Sequence, residues 1–370
     1  DSVKAVCATI WKITDVDPEY MLGIHRRLCH DSAGKVTECN MDMIAYVEGM
    51  AEAFKEHLPK GTMREPVPKG TFISKIDTVT DQEAQAVLDA GYQVAVGMLM
   101  WAVRQCYPGG KVAVSMLCRV MARPHWAAFA AAMHLIAWLF QNRTLGIKFS
   151  HCCNTIPIMM VDASNKPDPS DGKAQFGGLI MFMGAAVIDV SRKLKHVGMS
   201  SAHNEYMAMY YMHQTLIWFR QLLGEMGLQN LIAKPTITLA DNLAANTLSH
   251  EDVVTHGNQY MYLPFHYNKE VQEQGFSWVE YINTLLNIAD LMTKAGGSKE
   301  MKGLMGALTG HDTRLVQQLA VRCADIQATL ETQVLFKDFV HSDRWWEQEA
   351  DSDHIQLLKA LEAKSGELTN

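Results

Sequence analysis

The sequence predicts a mixed α/β domain that follows a mainly helical region. Residues 81–142 carry apolar side chains at helical spacing, whereas residues 155–294 alternate strand-like apolar runs with helical ones. The chain has 370 residues, of which 48% are hydrophobic, so it can bury two or three ordinary cores. A disordered or fibrous protein is therefore excluded.

The amino-terminal part is predicted to form a pair of strands followed by a helix. Residues 20–24 are strand-like, residues 31–35 (Asp-Ser-Ala-Gly-Lys) form a turn, and residues 41–54 have apolar side chains at helical spacing. A segment rich in Lys, Pro and Gly covers residues 58–71 and is interpreted as a linker.

Three helices are predicted next, because the helical pattern of residues 81–142 is broken at residues 108–110 and at Pro124. Residues 124–142 comprise 19 uncharged positions, a length that would suit a membrane span. His125 and His134 interrupt the apolar run, so we expect a buried helix and no membrane partner.

Charge is unevenly distributed along the chain. The net charge of −7 gives no overall surplus for binding nucleic acid or anionic lipid. Residues 90–161, however, contain no acidic side chain and six basic ones: Arg104, Lys111, Arg119, Arg123, Arg143 and Lys148. This stretch is either a surface that faces a polyanion or a buried helical pair with basic residues at its edges, and both interpretations stay open here.

The eight cysteines lack the C-x-x-C pairs and the close, even spacing of secreted disulfide scaffolds, and are interpreted as reduced thiols. The first residues, Asp-Ser-Val-Lys, include neither an initiator Met nor an apolar signal core, so we expect the interior of a longer chain.

The second half predicts the element order βββαβαβα, a mixed sheet with helices against it. Ser200 or Ser201 is expected to cap the long helix. The predicted strands are residues 155–161, two runs within 176–190 divided near Gly184, 235–240 and 276–282, and the last short helix is residues 287–294.

Four carboxylates fall where these elements begin or end: Asp162, Glu205, Asp241 and Asp290. Strand ends and helix starts of one sheet can converge, and four clustered carboxylates need divalent cations to offset their repulsion. Mg²⁺ suits such an all-oxygen site. Spacing alone is a weak signal, because the chain has 40 acidic residues.

Several segments resemble the carboxyl-terminal part of Copia-type retrotransposon polyproteins. Residues 92–101 and 114–147 are similar to the end of that family's reverse transcriptase unit. Residues 204–208 (Asn-Glu-Tyr-Met-Ala) and 240–245 (Ala-Asp-Asn-Leu-Ala-Ala) resemble catalytic segments of its ribonuclease H domain, and residues 288–294 (Ile-Ala-Asp-Leu-Met-Thr-Lys) resemble its closing motif. The resemblance covers roughly residues 10–297.

The resemblance implies a ribonuclease H-like mixed five-stranded sheet with flanking helices at residues 151–297, preceded by a mainly helical thumb and connection region. The implied divisions are 1–57 for the end of the reverse transcriptase palm and thumb, 58–80 for the linker, 81–150 for the helical thumb and connection, and 298–370 for a helical extension. In that extension, Trp345 and Trp346 belong either to a docking tail or to a terminal helix that packs its own aromatic residues.

The resemblance also implies an activity, the hydrolysis of the RNA strand of an RNA–DNA hybrid. Asp162, Glu205, Asp241 and Asp290 correspond to the family's metal-binding carboxylates. Asp162 would bridge two Mg²⁺ ions, with Mn²⁺ as a possible substitute. Glu205 and Asp241 would hold one ion and Asp290 would complete the other, from the segment expected to be most free to move.

Partners are implied in the same way. Arg192, Lys193 and Lys195 are assigned to phosphate contacts, with a solvated turn as the alternative. The chain has no Tyr-x-Asp-Asp hairpin, so the polymerase domain is expected to lie upstream or on another chain. An intracellular location, cytoplasmic or nuclear within a retroelement particle, is expected.

Departures from the family keep an alternative open. The first carboxylate lies in Asp162-Ala163-Ser164-Asn165, where the family has Asp-Ala-Asp-Trp, and residues 259–262 replace its basic-His-Ile-Asp segment. A catalytically inactive remnant that binds nucleic acid or protein is therefore the second hypothesis. An integrase of the same fold is a third, which the motifs at residues 204–208 and 288–294 oppose.

Overall fold

The computed structural model describes residues 19–68, 71–75, 79–151, 156–164, 168–251, 261–294 and 299–332. Its strands form one four-stranded and one five-stranded sheet. The helices of the amino-terminal half pack into one hydrophobic core, and the five-stranded sheet separates two others.

The first sheet is antiparallel, with strand order β1-β2-β3-β4. Its strands are β1 (Tyr20–Met21), β2 (Ile24–His30), β3 (Val36–Asp42) and β4 (Ile147–Ser150). The predicted turn is confirmed: the Asp31 carboxylate accepts hydrogen bonds from the Ala33 and Lys35 amides, both at 2.9 Å. Helix α1 (Ile44–Ala53) follows β3.

The helical region contains four helices where the sequence predicted three. They are α2 (Asp81–Asp89), α3 (Tyr92–Gln105), α4 (Lys111–Cys118) and α5 (Trp126–Gln141). The additional break lies at Gly91, whose φ of +92° is a left-handed conformation that ends α2 before α3 begins.

The five-stranded sheet has strand order β7-β6-β5-β8-β9. The strands are β5 (Ile158–Ala163), β6 (Gln175–Phe182), β7 (Ala185–Lys193), β8 (Thr236–Ala240) and β9 (Ser277–Tyr281). β5, β6 and β7 form an antiparallel meander, whereas β8 is parallel to β5 and β9 is parallel to β8. The predicted mixed sheet with flanking helices is therefore confirmed.

Helices cover both faces of this sheet, because the side chains of β5 alternate between two cores: Met159 and Val161 lie in one, and Ile158 and Met160 in the other. The helices are α6 (Ser201–Glu225), α7 (Leu243–His250), α8 (Tyr262–Glu273), α9 (Lys299–Thr309) and α10 (Arg314–Thr332). Ser200 is the residue that caps α6, where its hydroxyl accepts from the His203 amide at 3.1 Å.

Two predicted elements differ in the structure. Two helices, α7 and α8, follow β8 where one was predicted. The predicted helix at residues 287–294 is a short 3-10 helix, Ile288–Met292, called here the 288–292 turn. The side chain of Asn287 fixes the start of this turn. Its Oδ1 accepts a hydrogen bond from the Ala289 backbone amide at 3.1 Å, and its Nδ2 donates to the Val161 carbonyl at 2.9 Å.

Among the described residues, no single helix has both the length and the apolar composition to cross a membrane. α2 and α3 satisfy those criteria only together, and they are bent by 57° where they meet. The apolar helix α5 is 16 residues long and largely buried, as the sequence predicted. Trp345 and Trp346 lie outside the described residues, and the domain boundaries stay a prediction.

Gly177 in β6 has a packing role that can be tested. A Cβ added there would collide with Met292 Cβ and with the Thr293 methyl, so glycine allows the 288–292 turn to lie across the sheet. We expect Gly177→Ala to lower the free energy of unfolding by about 1–3 kcal/mol, measured by urea denaturation.

The matched control is Gly49→Ala in the exposed middle of α1, where a Cβ meets nothing within 4 Å. This change is expected to be neutral or to stabilise by about 0.5–1 kcal/mol. Equal effects of the two substitutions would contradict the packing role of Gly177.

Candidate metal centre

Three of the four predicted carboxylates converge at one edge of the five-stranded sheet. Asp162 lies near the end of β5, and Asp241 directly follows β8. Because β5 and β8 are parallel neighbours, their carboxyl ends meet at this edge. Glu205 comes from the beginning of α6. One ligand oxygen from each of these residues lies within 4.8 Å of the other two.

The fourth carboxylate, Asp290, lies on the 288–292 turn, close enough to Asp162 for its charge to raise the pKa of that acid. Two contacts hold this turn on the sheet: the Asn287 amide donates to the Val161 carbonyl at 2.9 Å, and the Ser191 hydroxyl donates to the Met292 carbonyl at 2.6 Å. Asp290 was expected to lie on the segment most free to move, whereas the structure shows its turn buried and hydrogen-bonded to β5 and β7.

Burial and mutual repulsion set the electrostatics of this cluster. Burial, reinforced by the charges of Asp290 and Asp241, raises the pKa of Asp162 to about 7. The pKa of Glu205 is raised well above its ordinary value by burial and by the charges of Asp162 and Asp241. Burial also raises the pKa of Asp290, and the negative charge of Asp241 raises it further. The cluster thus resists full ionisation without an added cation.

Two residues that sequence reasoning missed contact the carboxylates. Lys294 Nζ lies 2.7 Å from Asp290 Oδ2, and the Thr293 hydroxyl donates to Asp162 Oδ2. Burial alone would lower the pKa of Lys294, but the charges of Asp162 and Asp290 outweigh it and keep the lysine protonated. The signal was present in the sequence, because a lysine four positions after an aspartate faces it across a helical turn.

The donor set fits a hard divalent cation. Glu205 Oε2 and Asp290 Oδ1 are buried and have no hydrogen-bond partner among the residues that the structure describes. Buried carboxylate oxygens without partners are costly, and a cation would satisfy them. Mg²⁺ and Mn²⁺ both accept all-oxygen ligand sets.

The predicted phosphate-binding residues differ in their surroundings. Lys193 forms ion pairs with Asp168 and, at 3.1 Å, with Asp171, so its charge is already compensated. Arg192 and Lys195 are exposed on either side of the buried Leu194. Phosphate contacts therefore stay a prediction, and Arg192 and Lys195 are the two residues exposed enough to make them.

The basic stretch at residues 90–161 is compensated by acidic residues outside it. Examples are Lys111 with Asp189 at 2.5 Å, Arg143 with Glu48 at 2.9 Å and Lys148 with Glu38 at 2.8 Å. Most of α5 is buried. These contacts favour the buried helical pair over a surface that faces a polyanion.

The strand order and the convergence of acidic residues at the ends of β5 and β8 define the class: residues 158–294 form a ribonuclease H-like α/β fold. No family model matches the sequence. The solved structure of LC11-RNase H1, isolated from compost by a metagenomic approach, is 15% identical, covers 37% of this chain and 92% of that chain, and has a TM-score of 0.29.

Relatives of the chain are retrovirus-related Pol polyproteins of plant transposons, as the motifs predicted. The polyprotein from transposon TNT 1-94 of Nicotiana tabacum is 26% identical over 256 residues, which is 67% of this chain and 18% of that protein. The polyprotein from transposon RE2 of Arabidopsis thaliana is 26% identical over 207 residues, 55% of this chain and 14% of that protein. The chain thus spans less than a fifth of the length of these relatives.

The raised pKa of Asp162 predicts how stability depends on pH without metal. An acid whose pKa is higher in the folded state destabilises that state as pH rises from about 4 to the folded value of about 7. We expect Asp162→Asn, with EDTA present, to be more stable than the native chain by on the order of 2–4 kcal/mol at pH 8. Urea unfolding at pH 5.5 and pH 8 measures the change, and a difference that is the same at both pH values would contradict it.

Lys294 is predicted to stabilise the metal-free site. Lys294→Met removes the positive charge beside Asp290 and Asp162, so we expect it to lower the free energy of unfolding by about 1–3 kcal/mol at pH 8 in EDTA. Lys55→Met is the control, because both side chains of its ion pair with Glu52 are exposed, where such pairs contribute little to stability. Equal urea midpoints for the two variants would show that Lys294 has no such role.

Proposed function

We propose that residues 151–297 form the ribonuclease H part of a retrotransposon reverse transcriptase and hydrolyse the RNA strand of RNA–DNA hybrids. The observation that carries this proposal is the convergence of Asp162, Glu205 and Asp241 within 4.8 Å, with Asp290 near enough for its charge to act on Asp162. The kinship with Pol polyproteins supports the same activity, since such a polyprotein needs to remove RNA from a hybrid after copying it.

In this proposal the carboxylates would serve two Mg²⁺ ions, with Asp162 available to both. Glu205 and Asp241 would hold one Mg²⁺, and Asp290 would complete the other. When bound, such a pair of ions lowers the pKa of a water and offsets charge that develops on a phosphodiester. The unpartnered oxygens of Glu205 and Asp290 are the donors available for this role.

The substrate is proposed to approach from the side of Asp241, which is partly exposed whereas Asp162 and Glu205 are buried. A nucleic-acid backbone can therefore approach the cluster from the Asp241 side. Arg192 and Lys195 are exposed cations at the end of β7 and are proposed to contact phosphates. Discrimination between RNA and DNA would depend on the 2′-hydroxyl, with little dependence on sequence.

We also propose that the chain acts beside a polymerase, because its relatives are Pol polyproteins of which it spans less than a fifth. A separate or upstream polymerase domain would supply the hybrid, within an intracellular retroelement particle.

Cleavage of a labelled RNA–DNA hybrid at low salt with Mg²⁺ or Mn²⁺ tests the activity. We expect Asp162→Asn and Asp241→Asn to reduce the cleavage rate by about 100-fold or more, because each removes a charged metal ligand. Asp81→Asn, at a side chain that is 94% exposed, is the matched control and should cleave like the native chain. Duplex DNA should remain intact.

Loss of hybrid binding with salt is expected because the contacts are to phosphates. A native chain that binds the hybrid without cleaving it would support the inactive remnant instead. Equal cleavage by the native chain and Asp162→Asn would show that the nuclease activity arises elsewhere.

A further inference from the structure

We propose that Gln175 is a positioning residue that connects helix α4 to the 288–292 turn, so that the helical region controls the orientation of Asp290. The consequence for metal binding rests on the proposed function, whereas the connection itself does not. Gln175 is the first residue of β6, is 6% exposed, and precedes by two residues Gly177, the β6 partner of Asp162.

All the polar atoms of the Gln175 amide that can bond are used. Its Nε2 donates to Ser115 Oγ at 3.0 Å and to Ser191 Oγ at 2.7 Å. Its Oε1 accepts from Arg119 Nη2 at 2.6 Å. Since the Arg119 guanidinium can only donate, it fixes which side of the amide is oxygen and therefore which side donates to the two serines.

The chain of hydrogen bonds continues from Ser191 to the metal centre. The Ser191 hydroxyl accepts from Gln175 and donates its one proton to the Met292 carbonyl at 2.6 Å. Met292 is fully buried, and the next residue, Thr293, donates to Asp162. A hydroxyl has only one proton to donate, and Ser191 donates it to Met292. The Ser191 bond to Gln175 must therefore be donated by the Gln175 amide, so every donor in this series points from Gln175 toward the turn.

Helix α4 is anchored on both sides of Ser115, to β7 at its start and, just past its end, to the segment that precedes β6. At its start, Lys111 pairs with Asp189 of β7 at 2.5 Å. Just past its end, Arg119 pairs with Asp168 at 3.2 Å. Asp168 and Asp189 are both largely buried, so these are not mobile surface pairs. A shift of α4 therefore moves Ser115 and Arg119 together, and with them the Gln175 amide.

The connection explains how a turn of five residues holds a carboxylate in place. Asn287 fixes the beginning of the turn through β5, and Ser191 fixes its end through β7. Asp290 lies between these two attachment points. Loss of the Ser191 bond would leave the end of the turn held through Thr293, whose partner is the Asp162 carboxylate itself, so the orientation of Asp290 would become less well defined without removing any residue of the hydrophobic core.

Four variants test the inference in the full chain: Gln175→Met, Ser191→Ala, Ser191→Thr and Ser115→Ala. The first readout is hydrogen exchange of the amides of residues 288–294 without metal. The second is the affinity for Mn²⁺ from titration calorimetry. Methionine keeps the length of Gln175 but donates nothing, and threonine keeps the Ser191 hydroxyl.

We expect Gln175→Met and Ser191→Ala to speed exchange in residues 288–294 by about 10-fold, because the turn opens locally more often. Both should weaken Mn²⁺ binding by about 10-fold, the usual size of an effect from a residue that supports a metal ligand. Ser115→Ala should change both readouts in the same direction by roughly 3-fold. Ser191→Thr should restore native behaviour in both.

Unchanged exchange of residues 288–294 in Gln175→Met would overturn the inference. It would also be overturned if Ser115→Ala matched the native chain while Ser191→Ala did not, because the helical region would then have no influence on the turn. Faster exchange spread evenly over β5, β8 and α6 would show a general loss of stability and would equally refute a positioning role. If exchange shifts as expected but neither Mn²⁺ binding nor hybrid cleavage is detected, the connection stands and the proposed function fails.

Discussion

Mutual repulsion among four carboxylates at one edge of the five-stranded sheet is the constraint on which the rest of the site depends. Asp162 and Glu205 are buried, so the low polarity around them makes their charges costly and raises the pKa of both acids. The fold nevertheless holds the acids together, since β5 and β8 are parallel neighbours and α6 begins beside them. A bound divalent cation would convert this repulsion into attraction.

The residues around the cluster limit the repulsion without removing it. Lys294 contributes one positive charge and Thr293 one hydrogen bond, while Glu205 Oε2 and Asp290 Oδ1 stay without hydrogen-bond partners among the described residues. One lysine cannot balance four ionised carboxylates, so the pKa values of Asp162, Glu205 and Asp290 stay raised despite it. Gly177 provides the space in which the turn that carries Lys294 and Asp290 can lie on the sheet. The surrounding structure therefore leaves carboxylate oxygens of the cluster available to bind a cation.

The sequence predicted the sheet and the meeting of its acidic residues, because strand periodicity is local and parallel strands end at a common edge. It did not predict the break at Gly91, since Ala90 and Gly91 fall within one continuous helical pattern. The 288–292 turn was mistaken for a helix because its apolar spacing is helical, whereas the hydrogen bonds of Asn287 and Ser191 that shape it come from distant strands. Long-range contacts of this kind leave no periodic signal, which is also why the role of Gln175 was not predicted.

Mn²⁺ titration of the native chain beside Asp241→Asn tests the central claim most directly, with calorimetry as the measurement at pH 7.5 and low salt. We predict that the native chain binds Mn²⁺ at this cluster and that Asp241→Asn weakens the binding by about 10-fold or more, because the substitution removes a candidate ligand and a negative charge together. Identical titration curves for the two chains would contradict the claim that these carboxylates form a metal site.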